Sequence, residues 1–115
     1  PRTNYNAFSS PSLNIGCMAE EEVMRCDVSE FQWSGLPNKP PSCEEDWGGA
    51  LEVGLGVGHV LCHGDTALGS ENVVNYGVTN RWKQFDCTSA ASGITCRNTR
   101  TGHGFEIART HYRVF

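Results

Sequence analysis

The chain has 115 residues, of which 13 are glycine and 6 are cysteine; hydrophobic residues make up 38% and the formal net charge is −4. This length bounds it to one domain over residues 1–115, and so much glycine favours a turn-rich β fold over a helical bundle, which needs long apolar stripes with few glycines. The acidic balance argues against a generic nucleic-acid binder, whose phosphate affinity comes from accumulated Lys and Arg, so no nucleic-acid partner is expected.

In chain order, Pro1 to Ser12 is polar, with Tyr5 and Phe8 as its anchors, and Ser9-Ser10-Pro11-Ser12 reads as a turn. Leu13–Ala19 and Val23–Val28 alternate as the strands of a first hairpin, with Glu20-Glu21-Glu22 as a solvated tip. A helix over Met18–Arg25 competes on propensity alone. Ser29 to Gly49, with Trp33, Pro37, Pro40, Pro41 and Trp47, reads as a long connection that is either pinned or functional. Ala50 to Thr66 reads as two strands joined by a glycine-rich turn near 54–58. Beyond it come a loop, a short strand at Val73–Tyr76 and a turn over Gly77–Lys83 that carries Trp82. Phe85 to Asn98 forms a second hairpin with the loop Ala90-Ala91-Ser92-Gly93, and a last hairpin joins Thr95–Arg100 to Gly104–Ala108. Short strands at this spacing predict an all-β fold, a small disulfide-rich antiparallel barrel or sandwich built from hairpins.

The cysteines support the same architecture. Six cysteines in so short a chain point to an oxidising compartment. Fifteen pairings exist for six cysteines; local spacing favours Cys17–Cys26, Cys43–Cys62 and Cys87–Cys96. If the first and last pairs each close a hairpin, Thr88 lies opposite Thr95 and Ser89 opposite Ile94. Phe85, Cys87, Ile94 and Cys96 then share one face, as do Ile15, Cys17, Met24, Cys26 and Val28. Both cysteine-bearing faces are expected to pack inward. No stretch is apolar enough to be a transmembrane segment, and a start at Pro1 reads as a secreted chain whose targeting segment has been removed.

Asn14-Ile15-Gly16-Cys17, Arg25-Cys26-Asp27, Cys62-x-Gly64-Asp65-Thr66, Gly93-Ile94-Thr95-Cys96-x-Asn98 and Thr101-Gly102-His103-Gly104-Phe105 resemble an actinobacterial family of small secreted or lipoprotein six-cysteine domains of uncharacterised function. The resemblance runs from about Phe8 to Phe115. Many members carry Pro-Ser-Gly-Asn where this chain has Pro11-Ser12-Leu13-Asn14. It implies a disulfide-bonded β domain located outside the cytoplasmic membrane.

Several clusters carry chemistry on paper. His59, His63 and Asp65 alternate on one strand face, but residues four apart in a strand are roughly 13 Å apart, too far to share one metal ion. His103, Glu106, Arg109 and His111 supply the residue types of a ribonuclease-like hydrolase: base, phosphate clamp and acid. Strand alternation turns Glu106 and Arg109 apart, and His103 reads as fixing its turn through a backbone carbonyl. No nucleophile elbow, phosphate loop or cofactor motif is present, so no catalytic residue, metal or cofactor is assigned. A basic-aromatic cluster of Arg97, Arg100, Arg109 and Arg113 with His103, His111 and Tyr112 faces an acidic N-terminal half, which suits an anionic ligand or a protein interface. The expected function is a secreted or cell-envelope module binding a protein or wall component through Trp33, Trp47 and this cluster. A small hydrolase and an inhibitor presenting a loop pinned at Cys43 are the alternatives.

Overall fold

The computed structural model describes residues 1–115 and contains eleven strands and no helix. A six-stranded sheet has β1 (Arg2–Thr3), β7 (Thr79–Trp82), β8 (Phe85–Ala90), β9 (Gly93–Asn98), β10 (Gly104–Ile107) and β11 (Tyr112–Val114), in that order. A five-stranded sheet runs β2 (Ala7–Ser9), β3 (Ile15–Glu20), β4 (Val23–Val28), β5 (Asp46–Val53) and β6 (His59–His63). Every pair is antiparallel except β1 on β7. Each sheet keeps its own edges, so the architecture is a sandwich and not a closed barrel.

The alternation dictates the core. Ile15, Cys17, Met24, Cys26, Val28, Leu51 and Val53 point in from the five-stranded sheet. Phe85, Cys87, Ile94, Cys96, Phe105 and Ile107 meet them from the other. Cys17 bonds Cys26 and Cys87 bonds Cys96, each across a directly opposed strand pair with Cα atoms 4.0 Å apart. The two bridges touch: Cys26 Sγ lies 3.7 Å from Cys96 Sγ. The sandwich is therefore packed disulfide against disulfide at its centre. Cys43 bonds Cys62 and ties the long connection to β6. Three disulfides in a domain this small fit an extracellular location.

Several boundaries differ from expectation, for local reasons. The helix over Met18–Arg25 does not form, because Met18–Glu20 pair with Val23–Arg25 across the hairpin and Met24 and Arg25 pair with β5. Both hairpins close tighter than expected, on Glu21-Glu22 and Ala91-Ser92. β5 starts at Asp46, inside the expected connection, and bulges at Gly48-Gly49, where positive φ angles of 96° and 74° let Phe31 close over the backbone. The strand expected at Val73–Tyr76 reduces to a single bridge from Val73 to Ser9. The turn expected over Gly77–Lys83 contains β7 instead. Its inward Asn80 is fully buried and spends its side chain on the N-terminal segment. Its Oδ1 accepts from Tyr5 N–H and Thr3 Oγ1, and its Nδ2 donates to the Tyr5 carbonyl. β1 pairs in parallel beside that anchor.

The outer face of the five-stranded sheet carries an electrostatic latch. Arg25 and Asp27 sit two apart on β4 and point away from the core, yet their side chains are only 3% and 4% exposed. The Arg25 guanidinium donates to both Asp27 oxygens at 2.8 and 2.9 Å, to Asp65 Oδ1 at 2.7 Å and to the Asp65 carbonyl at 3.0 Å. Asp27 Oδ2 also accepts from Ala67 N–H at 3.3 Å. The segment 64–68 thus lies across the sheet and covers the charges. Gly16 makes room, since a Cβ there would meet the Ala67 carbonyl oxygen at 2.5 Å.

Candidate functional site

The outer face of the six-stranded sheet presents the charge pattern. Residues 79–115 hold six of the nine Lys and Arg residues (Arg81, Lys83, Arg97, Arg100, Arg109 and Arg113) but only Asp86 and Glu106 of the thirteen acids. The acidic remainder includes the whole five-stranded sheet. The molecule is therefore polar, with one sheet cationic and the other anionic.

Register brings the cations of the outer face together. Arg97 pairs with Gly104 on β10, and Gly104 exchanges both backbone hydrogen bonds with Phe115. Because Gly104 has no side chain, the Phe115 ring and the Arg97 guanidinium reach each other above it, with Arg97 Cζ 5.2 Å from the ring centroid. Arg113 approaches the same ring at 4.7 Å. Phe115 is thereby held between two guanidiniums. An added Cβ at Gly104 would collide with the Cys96 carbonyl oxygen and lie 3.0 Å from Arg97 Cα. Gly104→Ala should therefore cost about 1–3 kcal/mol by overpacking. A lowered thermal midpoint would register that cost, and an unchanged one would show that the backbone yields freely.

The residues singled out in the sequence separate into four places. Trp33 is half-buried, donates from Nε1 to the Ala108 carbonyl at 2.7 Å, and packs 4.7 Å from Tyr112. Tyr112 turns toward the core side of its strand, away from Arg113. Trp47 is half-buried and donates to the Pro37 carbonyl at 2.7 Å. Both tryptophans thus pin the Pro-rich connection. Arg97 lies on the outer face, whereas Arg100 and His103 sit at one end in the β9–β10 turn. The His103 backbone fixes that turn: its N–H donates to Thr101 Oγ1 and its carbonyl accepts from Asn98 N–H. Arg109 lies at the opposite end, where its carbonyl accepts from Gln32 N–H. There it borders a groove of about 490 Å3 with Leu13, Tyr76 and several serines.

The hydrolase residues also assort differently from expectation. His111 Nε2 lies 3.3 Å and Arg113 Nε 3.8 Å from Glu106 Oε1, so the carboxylate meets His111 and Arg113 rather than His103 and Arg109. His59 pairs with Glu52 at 3.2 Å. Both ring nitrogens of His63 face carbonyl oxygens, those of Asp65 at 3.0 Å and Gly48 at 3.2 Å. The two imidazoles are thus committed to different partners. Strand alternation could have found the Arg81, Arg97 and Glu106 rows, but Phe115 enters through a pairing with Gly104 that only the register shows.

A family model described as a family of unknown function, DUF6636, matches residues 3–115. The chain belongs to DUF6636. No curated protein and no solved structure matches it. This DUF6636 chain is a two-sheet sandwich with cysteine pairs facing each other across the interior. No helix of this DUF6636 chain is long and apolar enough to cross a membrane.

Proposed function

We propose that this chain is a binding module working outside the cytoplasmic membrane, secreted or held at the envelope of an actinobacterium, that contacts an anionic protein or wall component through the outer face of its six-stranded sheet. The observation that carries the reading is the cationic face itself. Arg97 and Arg113 flank Phe115 and are exposed, and Arg97 forms no ion pair with a carboxylate. Arg113 has only a loose contact with Glu106 at 3.8 Å. Uncommitted guanidiniums beside an aromatic ring favour planar anionic groups over neutral ones. The disulfide core supports this use, because a rigid scaffold loses little entropy on binding. The half-buried, hydrogen-bonded Trp33 and Trp47 favour this face over the Pro-rich connection.

The test is binding of the oxidised domain to an immobilised phosphate-bearing polymer and to a neutral polysaccharide across a salt series. Retention should be confined to the anionic polymer and fall steeply with salt. Arg97→Gln with Arg113→Gln should weaken it at least ten-fold at unchanged thermal midpoint. Equal retention on the neutral polymer would defeat the reading.

The contact of Glu106 with His111 and Arg113 favours a second reading, a small phosphodiester hydrolase in which that carboxylate and imidazole move protons on an open face. Its test is RNA cleavage by the wild type and by His111→Ala. Equal rates would dispose of it.

A further inference from the structure

At the end of the sandwich where the β7–β8 and β9–β10 turns meet lies a cleft of about 600 Å3, lined by Glu22, Arg81, Lys83, Gln84, Thr99 and Arg100, with no hydrophobic residue among them. Three of its six residues are cations. Arg81 is positioned, with Nε 2.7 Å from Asp86 Oδ1 and its NH2 group 3.4 Å from Thr99 Oγ1. Thr99 Oγ1 is fixed in turn by donating to the Gln84 carbonyl at 2.9 Å. Lys83 and Arg100 pair with no carboxylate. Gln84 lines the cleft, and its side-chain amide makes no hydrogen bond within the protein and reaches solvent there, free to meet a ligand. Lys83 sits at φ 52°, a left-handed conformation in which glycine would be free of strain. The turn therefore keeps a lysine at the mouth of the cleft at a conformational cost.

We propose that this cleft binds the phosphate group of an anionic ligand. Lys83 and Arg100 supply the charge, Arg81 the third cation, and the Gln84 amide a neutral donor. Arg geometry suits two oxygens of one tetrahedral anion, and the summed positive charge favours a dianion over a single carboxylate. The proposal rests on the anionic partner inferred above and narrows it to one chemical group. Glu22, on the facing hairpin tip, is the one negative charge in the cleft and opposes the anion.

The experiment is an amide-resolved NMR titration of the oxidised protein with inorganic phosphate, repeated with acetate at equal ionic strength and with poly(glycerol phosphate). Phosphate should shift the amides of Lys83, Gln84, Thr99 and Arg100 saturably, and acetate should bind at least five-fold more weakly. Arg100→Gln should raise the phosphate Kd at least ten-fold. Lys83→Gly, which relieves the left-handed turn, should raise it at least five-fold while the thermal midpoint holds or rises. Glu22→Gln should lower it. Arg97→Gln with Arg113→Gln should leave the phosphate Kd within two-fold even where it abolishes polymer binding, so a failed face and a failed cleft are told apart. Tighter binding of the polymer than of free phosphate would mark a polymer-borne group as the ligand, and equal binding free phosphate. Shifts spread over every arginine-bearing surface, or an unchanged Kd in both cleft variants, would overturn the proposal.

Discussion

Arg25→Ala is expected to destabilise the fold by about 3–5 kcal/mol, the usual range when one partner of a buried ion pair is removed. The Asp27 carboxylate is 4% exposed and has Arg25 as its bidentate partner, so the alanine variant leaves a buried charge answered by the Ala67 N–H and by His63 Nδ1 at 4.0 Å, with no guanidinium. Arg25→Lys should recover part of the loss, because an ammonium restores the charge but not the fork that reaches Asp27 and Asp65 together. Asp27→Asn with Arg25→Met should be milder than Arg25→Ala alone, since neither charge is then stranded. Urea unfolding of the four proteins gives the order directly. An Arg25→Ala variant as stable as wild type would show that segment 64–68 opens to water without cost.

The same latch sets an acid limb. Burial acts against the charged form of Arg25, but hydrogen bonds and charge from Asp27 and Asp65 outweigh it and hold the guanidinium protonated. The hydrogen bond from Arg25, and then its charge, hold the Asp65 carboxyl below the ordinary carboxylate range. A folded-state value below the unfolded one means that the contribution of Asp65 is complete above about pH 4, the ordinary aspartate value. It is lost as pH falls through the depressed folded value. Asp65→Asn should therefore flatten the loss of stability below pH 4 relative to wild type. Because Asp65 is well exposed, solvent screening keeps this effect smaller than that of Arg25→Ala.

The hairpins were legible because their information is local. Cysteines nine positions apart fix which residues oppose, and period-two alternation then assigns the faces of Ile15, Met24, Val28, Phe85 and Ile94. β7 was hidden because its one fully buried residue is Asn80, a polar side chain whose partners Thr3 and Tyr5 lie more than seventy residues away. Alternation puts Arg25 and Asp27 on the outer face, and only the distant segment 64–68 makes that face an interior. The candidate site shows the same division. The excess of Lys and Arg after residue 79 is a compositional fact, open to inspection. That Arg97, Arg113 and Phe115 converge across Gly104, while Arg109 goes to the far end, depends on the register of three strands. The terminal phenylalanine carries no local signal that it closes a sheet row.

Removal of the disulfides should have the largest effect. In the chain-entropy description a ten-residue loop contributes about 2.7 kcal/mol and a twenty-residue loop about 3.3 kcal/mol. Three bridges together then approach the whole stability of an ordinary domain, about 5–15 kcal/mol. Full reduction is expected to abolish the near-UV circular dichroism of the native protein at 25 °C. Among single-bridge variants, loop length alone would make Cys43→Ala with Cys62→Ala the worst, by about 0.6 kcal/mol. Packing should reverse that order. Cys17, Cys26, Cys87 and Cys96 are fully buried, whereas Cys62 is only half-buried, so losing either central bridge also opens a cavity that costs about 1 kcal/mol or more. Because Cys26 and Cys96 touch, removing both central bridges should depart from the sum of the single losses by at least about 0.5 kcal/mol. Guanidinium midpoints for the three double variants and the quadruple variant decide the matter. Strict additivity of the central pair, or the surface bridge proving most costly, would mean that the sulfurs act as chain staples alone and not as the packed centre of the core.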